Sequence, residues 1–214
     1  MEAFKVTFNL KSPAVLSDDL YLDTLISAAK AKEILKAEYN LGCKAGEKEL
    51  VKSTLNKLIA SEYDVYKCSK LMFKEGQGNS FYVKRFEHKY ENYIAKASKI
   101  DEQRGFFKAV YNPLSYLTDM HPTAICEGDM AEIERLLTTY IRFIGIKSSQ
   151  GYGQIKNMQF EKTDKFSFVH NKKLVRNIPA KYEQEFANFD CEYDYAMLSV
   201  LPPYWRKEKE LCIY

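Results

Sequence analysis

Phe4, Val6, Phe8 and Leu10 alternate with Lys5, Thr7 and Asn9, a period of two that predicts a strand with one buried face. Ser12-Pro13 breaks it. Ser17, Asp18 and Asp19 then offer caps, and Leu22, Leu25, Ile26, Ala29, Ile34 and Leu35 predict a helix to about Glu38. After a turn over 42–46, Val51, Leu55, Leu58 and Ile59 predict a second helix over 47–60. Between Asp64 and Phe86 the pattern predicts a hairpin: residues 65–73, a Gly76-Gln77-Gly78-Asn79 turn, then 81–86. A further strand is expected over 104–111, ending at Asn112-Pro113. The clearest helix opens at Asp129, with Glu132 completing a capping box, and its stripe of Met130, Ile133, Leu136, Leu137, Tyr140, Ile141 and Ile144 predicts a helix stopped by Gly145. A strand from Ile155 to Phe160 follows.

Strand, helix, hairpin, helix, strand is the order of an α+β, ferredoxin-like (RRM-like) split βαβ fold. Residues 1–161 are expected to form that domain, with a basic hairpin inserted at about 64–111. Residues 162–214 read as a C-terminal extension on the same domain, with strand character at Phe166–Val169, basic residues at Lys172, Lys173 and Arg176, and a rigid Pro202-Pro203-Tyr204-Trp205 element.

The helix runs into a glycine-rich loop, Gly145-Ile146-Lys147-Ser148-Ser149-Gln150-Gly151-Tyr152-Gly153. Gly151 and Gly153 permit backbone angles that a side chain disfavours, and successive outward amides form an anion-binding concavity. A phosphate suits such a loop. The helix presents its C-terminal end there, so the attraction has to come from Lys147 and the amides. Neither a Walker loop nor a Rossmann GxGxxG is present.

Composition narrows the class. The 214 residues suffice for a core without metal or disulfides, and the five cysteines form no CxxC pair. No apolar run approaches a membrane span and no signal peptide precedes the first strand, so a cytoplasmic protein without membrane, metal or cofactor is expected. A net charge of +3 does not announce a nucleic-acid binder; only local clustering does. Such clustering occurs at Lys67, Lys70, Lys74, Lys84, Arg85 and Lys89, interleaved with Tyr66, Tyr82, Phe86 and Tyr90, a mixture that tracks a single strand and stacks its bases. An ordinary solvated face gives the same pattern. A metal-free ribonuclease would draw on His88, His121 or His170, whose spacing assembles no site. Asp18, Asp19 and Asp23 read as helix-start residues rather than metal ligands.

Several short motifs occur in order: Ser12-Pro13-Ala14-Val15-Leu16, Tyr21-Leu22-Asp23-Thr24-Leu25, Arg104-Gly105, Gly128-Asp129, Ile144-Gly145-Ile146-Lys147 with Gly151-Tyr152-Gly153, and Pro202-Pro203-Tyr204-Trp205. Together they resemble the Cas-five-like subunit of type IV CRISPR effector complexes, within the RAMP superfamily. The resemblance implies a subunit that binds and caps the 5′ handle of the guide RNA (crRNA), contacts a Cas-seven-like backbone subunit and a large or Cas-eight-like subunit, lies near target DNA in the complex, and performs no catalysis. On that reading Lys147 and the amides of Ser148, Ser149, Gln150, Gly151, Tyr152 and Gly153 meet phosphate, with Tyr152 also stacking on a base. Lys84 and Arg85 track the backbone, and Arg104 and Arg142 lie within reach of RNA. Tyr204 and Trp205 form a subunit contact. Two other classes stay open: a metal-independent endoribonuclease acting on repeat RNA, as some relatives are, and a structural subunit that scarcely touches RNA.

Overall fold

The computed structural model describes residues 1–17, 19–36, 45–74, 76–93, 100–202, 204 and 209–214. Strand β1 (Glu2–Leu10) is its central piece, with Phe4, Val6 and Phe8 fully buried as the alternation predicts. It pairs antiparallel with β4 (Thr123–Gly128) on one side and β5 (Ile155–Lys162) on the other. Helices α1 (Leu22–Leu35) and α3 (Met130–Tyr140) pack against each other, α1 reaching β4 and α3 reaching β1 and β5, while α2 (Ala45–Leu58) lies on α1. The core therefore sits between the sheet and the helices, where Phe4, Val6 and Phe8 meet Leu22, Ile26, Ile133, Leu136 and Leu137. The opposite positions of β1 carry polar pairs: Lys5 with Glu161 at 2.8 Å and Asn9 with Asn157 at 2.6 Å.

A fourth, irregular segment follows the free edge of β4. Glu127 donates to the Lys67 carbonyl, Ser69 to that of Ile125, and Met72 and Thr123 exchange both bonds. At Lys70 and Leu71 the ladder breaks, because their amides donate to Val175 and Leu20 instead. The Ser69 hydroxyl fills one gap by accepting from the Ile125 amide at 2.9 Å.

This corrects the expected hairpin. Residues 65–73 do not pair with 81–86; β2 (Gln77–Lys84) pairs with β3 (Val110–Leu117) over its whole length, from Gln77 opposite Leu117 to Lys84 opposite Val110. Val65, Tyr66, Cys68, Ser69 and Leu71 are buried with no period-two alternation, so this stretch belongs to the interior. Residues 105–107 form a short 3-10 turn, and the strand passes through Pro113 rather than ending there. Pro113 is tolerated because it shares the parity of Leu117, whose amide turns away from β2 to bond Ala14, so the nitrogen of Pro113 also faces outward and no bond to β2 is lost.

Two helix ends also differ. Helix α3 begins as expected, the Asp129 carboxylate accepting from the Glu132 amide at 3.2 Å, a cap worth about 1 kcal/mol. It stops at Tyr140, not Gly145: Ile141 is already extended, and Ile141 and Ile144 are buried from an extended segment that rejoins β5 through Phe143 and Gln154. Helix α1 starts at Leu22 with no side-chain cap, and the expected extension past Lys36 lies outside the described residues, as does Asp18.

The C-terminal residues form a second apolar cluster, in which Phe166, Phe168, Leu174, Val175, Ile178, Phe186 and Ile213 pack with Ala3 and Val65. Strands β6 (Ile178–Pro179), β8 (Glu210–Ile213) and β7 (Tyr195–Leu198) make its small sheet, with β8 in the middle. No helix among the described residues is long and apolar enough to cross a membrane.

Candidate nucleic-acid interface

The glycine loop is built where three chain segments close on one another. Ile146 donates to Val15, Gly153 to Pro13, and Ile144 to Gly153, so the Ser12–Val15 motif and the loop glycines are direct partners. The Ser12 hydroxyl bonds the Gly151 carbonyl at 2.5 Å and accepts from the Gln154 amide at 2.9 Å. Gly145 and Gly153 are required by space as well as by conformation. A Cβ would lie 2.2 Å from the Val15 carbonyl oxygen in the first case and 2.0 Å from the Ile144 oxygen in the second, and both residues have positive φ. Gly151 has open space around it and is needed only for its φ of 87°.

The loop has fewer amides to offer than its sequence suggests. Those of Gln150, Gly151, Tyr152 and Gly153 donate to carbonyls of Lys147, Ser148, Lys147 and Pro13. The expected cradle of six amides therefore narrows to those of Ser148 and Ser149, two exposed residues at the start of a 3-10 turn. Lys147 takes the left-handed conformation at φ 63°.

What the sequence did not reveal is the neighbour of this loop. The Lys147 ammonium sits 5.1 Å from the centre of the Tyr82 ring, and Tyr152 and Tyr116 approach to 6.2 Å between centroids. One face of the β2–β3 ribbon thus lies against the loop. Ala14 bonds Leu117 in both directions and anchors the ribbon's base. Beside Tyr116 opens a cleft of about 320 Å³ lined by Leu16, Ser17, Asp19, Gln77, Ser115 and Leu117.

The other expected site residues divide. Lys84 and Arg85 are exposed beyond Tyr82 on the same ribbon, with Arg85 3.8 Å from Glu102. Arg104 is exposed, its amide held by Asp101 in a capping turn. Arg142 donates to the Thr138 carbonyl at 2.9 Å and closes the C-terminal end of α3. Lys67 is paired with Glu62 and Glu127, Lys70 with Asp19, and Tyr66 is buried with its hydroxyl on Asn56, so these three leave the expected basic and aromatic stripe. His88 pairs with Glu102 at 2.7 Å, His121 with Asn9 at 2.7 Å, and His170 lies on a short hairpin in the C-terminal cluster. Among the described residues no group of three or more His, Cys, Asp or Glu is placed to hold a metal.

Arg176, which the sequence groups with the basic Lys172 and Lys173, is 1% exposed. Its guanidinium donates to the carbonyls of Tyr66, Cys68 and Val200, to Asp23 at 3.2 Å and to the Tyr204 hydroxyl at 2.6 Å. Tyr204 in turn donates to the same Asp23 oxygen at 2.8 Å. Burial opposes the charge on Arg176, but Tyr204 and Asp23 hold its pKa above the usual value. Burial pushes the Tyr204 hydroxyl well up, so it stays a donor. Tyr204, expected at a subunit contact, spends its polar end inside the chain, and Asp23, in the first turn of α1 as expected, is also a buried ionic partner. Trp205 lies outside the described residues. The sequence held one signal for this network: a lone Arg within the apolar run Leu174-Val175-Arg176 needs a buried anion.

The chain thus combines an α+β core with a loop and ribbon that carry lysine and tyrosine together, and the sequence-wide comparison places it among proteins associated with CRISPR systems of type IV. A family model described as CRISPR type IV associated protein Csf3 matches residues 2–214, and the chain belongs to that family. No curated protein matches it.

Proposed function

We propose that this chain is a non-catalytic RNA-binding subunit of a type IV CRISPR effector complex, capping the 5′ handle of the crRNA and contacting a Cas-seven-like backbone subunit. The sheet order β5-β1-β4 followed by the 67–72 segment supports a ferredoxin-like RAMP fold, since this is the strand order that the split βαβ arrangement generates. The observation that carries the reading is the convergence of Lys147 and Tyr152 with Tyr82 and Tyr116. A cation, two exposed amides and aromatic faces on one surface match what a single-stranded RNA offers: phosphates to neutralise and splayed bases to stack. Lys84 and Arg85 extend this surface along the ribbon.

A second reading rests on His88, which shares Glu102 with Arg85. A histidine held by a carboxylate near a guanidinium is the composition of a metal-free ribonuclease site.

Incubating the protein with labelled repeat RNA in EDTA separates the two. The expected result is binding without cleavage, falling with salt and about tenfold weaker in Lys147→Glu at unchanged melting temperature. Cleavage lost in His88→Ala would establish the second reading. Binding indifferent to both salt and Lys147→Glu would overturn the first.

A further inference from the structure

Cys68 and Cys126 face each other across the outer edge of the main sheet. Both are fully buried, and their sulfur atoms are 2.7 Å apart. The register explains the approach: the ladder bonds on either side run between Lys67 and Glu127 and between Ser69 and Ile125, which makes Cys68 and Cys126 a non-hydrogen-bonded pair. In such pairs the Cα atoms are about 4.5 Å apart and the side chains lie closest, within the span that a disulfide bridges. The thiols hold a position that two small apolar residues would fill equally well.

We propose that Cys68 and Cys126 are an oxidative modification site, at which a peroxide converts the two thiols into a cross-strand disulfide. In the first step one sulfur attacks a peroxide oxygen, the O–O bond breaks, and a sulfenic acid and water result. The second sulfur then displaces that hydroxyl as water and the S–S bond forms. Two thiols and one hydrogen peroxide yield one disulfide and two waters. Burial and the neighbouring Cys126 thiol raise the Cys68 pKa, so Cys68 rests as the thiol and its oxidation is slow. Access comes through the edge: the 67–72 segment holds β4 by an interrupted ladder, and local opening there bares the pair.

The link would close a loop between residues 58 apart and fix the segment whose Tyr66 and Cys68 carbonyls receive Arg176. This inference stands independently of RNA binding.

The test treats the reduced, full-length protein with hydrogen peroxide, with and without urea below the unfolding midpoint. The readouts are thiol counts in denaturant, non-reducing peptide mapping and melting temperature. The expected outcome is loss of two thiols, a Cys68–Cys126 peptide, and a rise in melting temperature of about 5–10 °C that dithiothreitol reverses. Cys68→Ala/Cys126→Ala is expected to fold and show no such rise. The proposal is overturned if mapping finds both cysteines unlinked in urea, or finds the link at another cysteine. Wild-type mapping decides the matter even if the double variant fails to fold.

Discussion

The helix-covered face of the main sheet and the β2–β3 ribbon are built from similar residues to opposite ends. On the sheet every large apolar side chain of β1 faces inward, and Phe4, Val6 and Phe8 are fully buried. On the ribbon, Phe81, Val83 and Tyr111 are each more than half exposed, and Phe81 and Tyr111 stack on each other at 4.9 Å. Burial accounts for the first set. It does not account for the second, because apolar groups left in water add little to the stability of the chain that bears them. Stability thus resides in the first region, the exposed ribbon adds little to it, and substitutions should sort accordingly.

The largest effect is expected in the interior. Arg176→Ala strands Asp23 as an uncompensated charge and should destabilise by about 3–5 kcal/mol in urea unfolding. Asp23→Asn combined with Arg176→Met should recover much of that loss, because removing both charges removes the cost of desolvating an ion pair. A similar loss in the double variant would mean that the neighbouring carbonyls, not the ion pair, dominate the site.

At the loop, Gly153→Ala drives a methyl into the Ile144 carbonyl and should cost roughly 2 kcal/mol or more, whereas Gly151→Ala meets nothing and should cost only about 1 kcal/mol of left-handed strain. Equal losses would show that the loop relaxes around both positions.

On the ribbon, Phe81→Ser with Tyr111→Ser should shift stability by less than about 1 kcal/mol, while weakening association with RNA or a partner subunit. A strongly destabilised double variant would erase the distinction between the two regions.

The smallest effect is electrostatic. Hydrogen bonding from Lys30, then from Arg135, lowers the Glu33 pKa below its ordinary 4.5. The stabilisation is present above that value and is lost as pH falls through the depressed one. Melting temperature should therefore decline more steeply below about pH 4.5 in the wild type than in Glu33→Gln, by a small margin because the pair is partly solvated.

Elements whose signal lies within one stretch of chain were legible in advance. The alternation of β1 needs seven residues, and Asp129 and Glu132 mark α3 by a bond three residues long. The glycines of the loop announce themselves because Gly145 and Gly153 meet both demands, positive φ and no room for a Cβ, and Gly151 meets the first. Partnerships across long separations were not legible. Residues 81–86 have the composition of a strand whichever strand they join, and the permissive 76–79 stretch favours the nearer, mistaken one. Arg176 looks like its neighbours Lys172 and Lys173 until Asp23 and Tyr204 are brought to it. The position of the end of α3 turned on a similar ambiguity, since Ile141 and Ile144 bury equally well from an extended backbone.

The Asp23–Arg176 pair also sets a clock. The two residues are separated by 153 positions, so on a ribosome adding about 5–20 residues per second the carboxylate emerges roughly eight to thirty seconds before its guanidinium. Through that interval nothing yet synthesised supplies the guanidinium that pairs with Asp23, so burying the charged carboxylate beneath α1 costs free energy. The ion pair can form only once Arg176 has left the ribosome, so the interior beneath α1 is completed late in synthesis.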